Sequence, residues 1–200
     1  IGFMFAPNHH VAMKHAIAPR REIGLRTLFN ILGPLTNPAG VKRQVIGVYA
    51  EHLCEPIAAS LAKLGSEHVM VVHSRDGLDE ISIAADTFVC ELREGSLNRY
   101  MISPLDFDLP VQELEGLQVR SVAESAELIK GSLDCRKEAV FRKASNMLAI
   151  NAGATLYVAG VASSLREGVS RCIYALNERH ALAKLNEFIK FTNSLSVDHS

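Results

Sequence analysis

The 200-residue chain has no C-x-x-C pair, no excess of either charge and no apolar run long enough to cross a membrane, and each absence removes a class of function. Its four cysteines, Cys54, Cys90, Cys135 and Cys172, stand far apart, which argues against a disulfide scaffold or a zinc site and suits reduced packing residues in a cytosol. Lys plus Arg number 21 against 22 Asp plus Glu, a formal charge of −1, so no general field draws the chain to nucleic acid or to a membrane surface. A signal peptide would need a basic start and an apolar h-region, and neither is present. There is no G-x-S-x-G, no P-loop and no internal repeat, so covalent catalysis has no candidate residue. What remains is a cytoplasmic globule of one domain, or one domain and part of another, whose partners are small molecules.

The organisation is legible from periodicity. Asn8 can cap a short helix over 9–17, and Pro19 suits the first turn of another, along which Leu25, Leu28, Phe29 and Leu32 recur at helical spacing. Gly33 and Pro34 are expected to stop that helix, with Asn37, Pro38 and Gly40 continuing as turn. The period then changes. VKRQVIGVYA at 41–50 reads as a buried strand, 52–64 as an amphipathic helix ending at Gly65, and HVMVVHS at 68–74 as a second buried strand. Strand, helix, strand implies a parallel pair with helices on its faces, and ligands of such sheets gather at the carboxyl ends of the strands. Residues 81–103 alternate about Glu94-Gly95 and predict a hairpin at a sheet edge. Ser121 with Glu124 and Ser164 with Glu167 are capping boxes opening helices to about Leu133 and Glu178. Residues 139–160 form one long helix or two short ones, and Leu182, Leu185, Phe188, Ile189 and Leu195 stripe a final helix. Residues 104–120 are the plainest connecting loop. The predicted fold is α/β, a helical segment over 1–40 followed by an α/β domain over 41–200, with a site in the cleft between them.

Two groups of residues stand out chemically. Asp79 and Glu80 fall just after the second parallel strand, where adjacent carboxylates read either as a solvated turn or as ligands for magnesium, which takes oxygen donors and shares them with a substrate's phosphates. Arg20 falls four residues before Gly24, so its planar guanidinium could stand beside a position with no side chain and hold a carboxylate; Arg21 is the alternative, and a solvated arginine is the plain reading of either. His9, His10 and His15 lack the spacing and the acid cluster of a metal site.

The stretch PRREIGLRTLFNILGPLTNPAG at 19–40 resembles the R-x-E-(L/I)-G-x-R-T-x-F-N-x-L-G-P-L-x-N-P block of the anthranilate phosphoribosyltransferase family. FAPNHHVAMKHAIAPRRE at 5–22 is similar to that family's F-A-P-x-x-H-x-A-M block, HSRDGLDEIS at 73–82 to its D-G-L-D-E motif, and NAGATLYVAG at 151–160 to a late helical segment. Four ordered blocks span almost the whole chain, and the stretch 131–147 fits the pattern less well. The resemblance implies a fold of the nucleoside phosphorylase/phosphoribosyltransferase class with a helical N-domain. It implies transfer of a phosphoribosyl group from phosphoribosyl pyrophosphate to the amine of anthranilate, with Mg2+ held by Asp79 and Glu80, and with Asp76 shaping the turn. Arg20 would hold the anthranilate carboxylate, and Pro7, His10, Met13, Gly33 and Pro34 would line its entrance. A homodimer through the apolar faces of the early helices is expected. The family places a G-T-G-G-D loop and a K-H-G-N motif before its F-A-P block. Neither occurs here, and the chain opens on the apolar IGFMFAP, so it is expected to be the C-terminal portion of a longer enzyme. The competing expectations are a pyrimidine nucleoside phosphorylase-like enzyme, and a non-enzymatic relative that binds nucleic acid through a basic groove and lacks the magnesium acids.

Overall fold

The computed structural model describes residues 2–4, 33, 35, 37 and 39–197. Four strands form one mixed sheet in chain order: β1 (Arg43–Gly47), β2 (His68–Ser74), β3 (Thr87–Arg93) and β4 (Ser96–Ile102). β1 and β2 are parallel, with Arg43 opposite His68 and Gly47 opposite Val72. β3 and β4 add antiparallel to β2, and Glu94 and Gly95 turn their hairpin with φ of 52° and 77°. The expected parallel pair and edge hairpin are both present.

The sheet is covered on both faces. β1 and β2 are joined by a 3-10 turn (Glu51–Leu53) and α1 (Cys54–Lys63), whose buried Cys54, Ile57, Ala58 and Leu61 recur at helical spacing. That stripe packs on Ile46, Val69, Val71, Cys90 and Leu92. On the other face, Met70, Val72, Val89 and Ile102 meet Ile150, Ala154 and Val158 of α3 (Ala139–Val158). Because successive residues of β2 enter different cores, its centre, residues 69–72, is an unbroken apolar run rather than an alternating one. The buried His68 that opens the strand is satisfied: its Nε2 lies 2.7 Å from Glu91 Oε1, and the Tyr100 hydroxyl donates to Glu91 Oε2 at 2.8 Å. Burial and the Glu91 charge push the Tyr100 hydroxyl well above the usual range.

α2 (Val122–Leu133) and α4 (Leu165–Asn177) flank α3, and α5 (His180–Val197) follows. Both expected caps form: Ser121 Oγ accepts from the Glu124 N–H, and Ser164 Oγ from the Glu167 N–H. In each, the glutamate reaches back one residue further than a standard box, to the N–H of Arg120 and of Ser163. α3 and α4 touch through glycines, since a Cβ on Gly168 would lie 2.2 Å from the Gly153 carbonyl oxygen. The buried thiols behave as packing groups, and burial pushes Cys54 up to about 12.

Three details differ from expectation. Gly33 and Leu35 are helical where a stop at Gly33-Pro34 was predicted. Residues 104–120 are not all loop, because Pro104–Phe107 makes a 3-10 turn capped by Ser103 and Asp106. The stripe of α5 is only partly covered, with Ile189 38% and Leu195 54% exposed. The helices expected over 9–17 and 19–32 lie outside the described residues. No helix among those described is long and apolar enough to cross a membrane.

Candidate active site

At the carboxyl end of β2 the chain turns sharply. The Gly77 N–H donates to the Ser74 carbonyl at 2.9 Å with φ of 91° at Gly77, and the Ser74 N–H donates to the Leu78 carbonyl at 3.0 Å. Asp76 is consumed in making this turn: Oδ1 accepts from the Leu78 N–H at 3.2 Å and Oδ2 from the Ser82 hydroxyl at 2.5 Å. Burial acts to raise its pKa, but the hydrogen bonds from Ser82, Ser74 and Leu78 outweigh it and hold the carboxyl below the usual range. Asp76 is therefore a fixed anion that braces the loop.

Asp79 and Glu80 are left facing outward. Both are exposed, and neither has an ion-pair partner within 4 Å among the described residues. Partial burial, and after it the negative charge of Asp79, push the Glu80 carboxyl above its ordinary value. Two adjacent carboxylates that repel each other, with no cation paired to them among the described residues, fit a hard divalent ion that completes its shell with water and phosphate oxygens. No group of three or more His, Cys, Asp or Glu among the described residues makes an all-protein metal cage. The all-oxygen donor set of Asp79 and Glu80 suits magnesium better than zinc, which takes nitrogen and sulfur ligands.

The backbone of this pair is held from two directions. Below it, at the end of β1, Gly47 lies so close that a Cβ there would sit 1.5 Å from the Asp79 carbonyl oxygen. Behind it, Asn151 of α3 accepts from the Ile81 N–H at 3.0 Å and donates to the Ile81 carbonyl at 2.9 Å. Leu78 and Glu80 also border an apolar cleft of about 410 Å3 whose walls include Leu114, Leu117, Leu128, Ile129 and Met147. A second cavity of about 460 Å3, with Arg136, Lys137 and Arg142 in its lining, shares none of these residues.

Of the predicted site residues, the structure brings Asp79 and Glu80 together at the strand's mouth, and Gly33 is helical and half-buried. Arg20, Pro7, His10, Met13 and Pro34 lie outside the described residues, as do His9 and His15. Gly47 and Asn151 were missed. A glycine inside a strand signals close approach of another backbone, and that signal was available at Gly47. Asn151 is a carboxamide in a largely apolar helix, but its partner lies seventy residues away and no local pattern points to it.

A mixed sheet between helical layers, with an acidic loop at the mouth of a parallel strand, defines an α/β domain of the nucleoside phosphorylase/phosphoribosyltransferase class. The model of the glycosyl transferase family a/b domain matches residues 1–182, and the chain belongs to that family. It is 56% identical over 192 residues to an anthranilate phosphoribosyltransferase of Ectopseudomonas mendocina, covering 96% of this chain and 55% of that protein. It is 51% identical over 195 residues to the one from Acinetobacter baylyi, covering 98% and 56%. In three dimensions it resembles the anthranilate phosphoribosyltransferase of Thermus thermophilus, with a TM-score of 0.85 at 35% identity over 95% of this chain and 55% of that one. The Saccharomyces cerevisiae enzyme in complex with PRPP and Mg matches with a TM-score of 0.80 at 26% identity, covering 92% and 52%. The chain thus spans about 55% of the length of the curated relatives it matches.

Proposed function

We propose that the full-length protein transfers the phosphoribosyl group of phosphoribosyl pyrophosphate to the amine of anthranilate, giving N-(5-phosphoribosyl)anthranilate and pyrophosphate in tryptophan biosynthesis. The observation that carries this reading is the outward-facing Asp79–Glu80 couple, presented at the carboxyl end of β2 in a chain more than half identical to enzymes of that name. Asp79 and Glu80 would hold Mg2+ on the pyrophosphate side. The bound ion supplies positive charge that offsets the negative charge gathering on the departing oxygens. Arg20 would pair with the anthranilate carboxylate and aim the amine at the sugar, with Pro7, His10, Met13, Gly33 and Pro34 along the entrance. An aromatic amine is neutral at pH 7 and needs no strong base to attack, so the protein's part is alignment and electrostatics. The site would lie in a cleft between the helical segment 1–40 and the α/β domain 41–200. A cytoplasmic homodimer joined through the early helices accompanies this reading. The charge of −1 and the presence of both acids argue against a nucleic-acid-binding role. The names of the relatives argue against a nucleoside phosphorylase.

The test is depletion of anthranilate fluorescence by the full-length protein and by the 200-residue chain, each with phosphoribosyl pyrophosphate and Mg2+. Depletion by the full-length protein, abolished in the double variant Asp79→Asn/Glu80→Gln with its circular dichroism unchanged, is the expected result. No depletion by the full-length protein overturns the proposal, and full activity of the double variant overturns the metal assignment.

A further inference from the structure

The carboxamide of Asn151 does to Ile81 what a neighbouring strand would do. Its oxygen accepts from the Ile81 N–H at 3.0 Å and its nitrogen donates to the Ile81 carbonyl at 2.9 Å, so both backbone groups of one residue are paired by one side chain. A third bond, from the same nitrogen to the Met147 carbonyl at 3.0 Å, ties the side chain to its own helix and fixes its rotamer. Ile81 is 1% exposed, and water is a poor substitute for these partners. The residue so clamped directly follows Glu80. The helix that carries the clamp is itself seated on the sheet by Ile150 and Ala154 on either side of Asn151.

From this geometry we infer that Asn151 is a positioning residue for the acidic pair: it sets where the Asp79 and Glu80 carboxylates are presented, and so how tightly the full-length protein binds a divalent cation with phosphoribosyl pyrophosphate. The inference rests on the reading of Asp79 and Glu80 as the magnesium-holding couple. Asn151 touches neither substrate nor metal in this account. It acts by removing freedom from the backbone on which both ligands ride, and Gly47 closes off the opposite direction. Groups that orient metal ligands in this indirect way change metal affinity by about 10–100-fold when lost.

The experiment uses the full-length protein and its Asn151→Ala and Asn151→Ser variants, with Asn146→Ala as a control that removes another hydrogen-bonded asparagine of α3. The serine variant keeps a polar group able to bond the carbonyl one turn back but too short to reach Ile81, and it serves should the alanine variant not fold. Mn2+ binding in the presence of phosphoribosyl pyrophosphate is followed by electron paramagnetic resonance, amide exchange by mass spectrometry, and kinetics over a Mg2+ series. The expected result is Mn2+ affinity weakened by about 10–100-fold. Exchange over residues 79–82 should accelerate, excess Mg2+ should restore most of kcat, and the anthranilate KM should stay within about twofold, because only the metal side is loosened. Asn146→Ala should match the parent. A folded Asn151 variant with parental Mn2+ affinity overturns the inference, as does a loss of kcat that no Mg2+ concentration restores. If Asp79→Asn/Glu80→Gln also keeps parental Mn2+ affinity, the metal reading itself has failed. If that variant loses Mn2+ and the Asn151 variants do not, only the positioning role is wrong.

Discussion

Replacing Gly47 by alanine adds a single carbon at the point where β1 passes beneath the acidic loop. That carbon would be placed 1.5 Å from the Asp79 carbonyl oxygen, 2.4 Å from its carbonyl carbon and 3.2 Å from its Cα, all backbone atoms that no rotamer change can clear. Ordinary contact begins near 3.4 Å, so the two must part by about 2 Å. β1 cannot yield easily, being paired in register from Arg43 to Gly47 against β2, which is buried at every position but His73. The loop must move instead, and the Asn151 bonds to Ile81 resist it from the other side. Such overpacking typically costs about 1–3 kcal/mol, a Tm lower by several degrees in a protein of this size. The functional loss should be larger, since misplacing reacting groups by 1 Å costs about 100-fold in rate. In the fluorescence depletion assay Gly47→Ala should therefore lose about 100-fold or more in kcat/KM while remaining folded. Part of that loss should be recovered by raising Mg2+. A folded variant with the parent's rate and Mg2+ dependence would show that the loop's position does not govern the chemistry.

Three other expectations follow from particular groups. Burial and Asp79 raise the pKa of Glu80 in the fold, so its ionisation costs stability as pH rises through that range. In the absence of Mg2+, Glu80→Gln should therefore raise Tm at pH 7 and give no gain near pH 4, and an unchanged Tm at pH 7 would refute the shift. Arg20→Ala should raise the anthranilate KM about tenfold or more while leaving the phosphoribosyl pyrophosphate KM nearly unchanged; equal effects on both would point to a structural role. Glu91→Ala leaves the buried His68 and the part-buried Tyr100 hydroxyl without their shared acceptor and should cost about 1–3 kcal/mol in urea unfolding at pH 7; a loss below about 0.5 kcal/mol would mean that the network relaxes to water.

Much of the fold could be read from period alone. The centre of β2, residues 69–72, is an unbroken apolar run because both faces are buried there, and the strand's limits of His68 and Ser74 match the expectation. The edge hairpin was legible from the Glu94-Gly95 turn, although β3 is buried on both faces, Val89 toward α3 and Cys90 and Leu92 toward α1, and β4 is mostly exposed. β1 was expected over 41–50 and forms over Arg43–Gly47, because strand ends are set by pairing partners rather than by hydrophobicity. The capping serines announced α2 and α4, since a cap is satisfied within four residues. At the site, the acids were visible and their supports were not. Asp76, Asp79 and Glu80 are close in sequence, yet one is locked into the turn and two face outward, a division made by Ser82 and Leu78. Asn151 joins the loop only through tertiary packing, which no local spacing encodes.

The clamp at Asn151 also joins the two halves of α3 to the acidic loop. From Asn151 onward the helix is anchored by the bonds to Ile81, the glycine contact with α4 and the seat of Tyr157 against His68, whose ring centroids are 4.9 Å apart. Ahead of it, α2 ends at Leu133 and residues 134–138 turn the chain into α3. That corner is held too: Ser145 Oγ donates to the Ser132 carbonyl at 2.9 Å, Asn146 donates to Gln112 at 2.7 Å, and a Cβ on Gly131 would lie 2.2 Å from the Phe141 ring. Met147 receives the Asn151 bond and lines the cleft beside Glu80, so a change of length inside α3 ahead of it is felt at the acidic loop, and the turn at 134–138 is where length can vary at least cost.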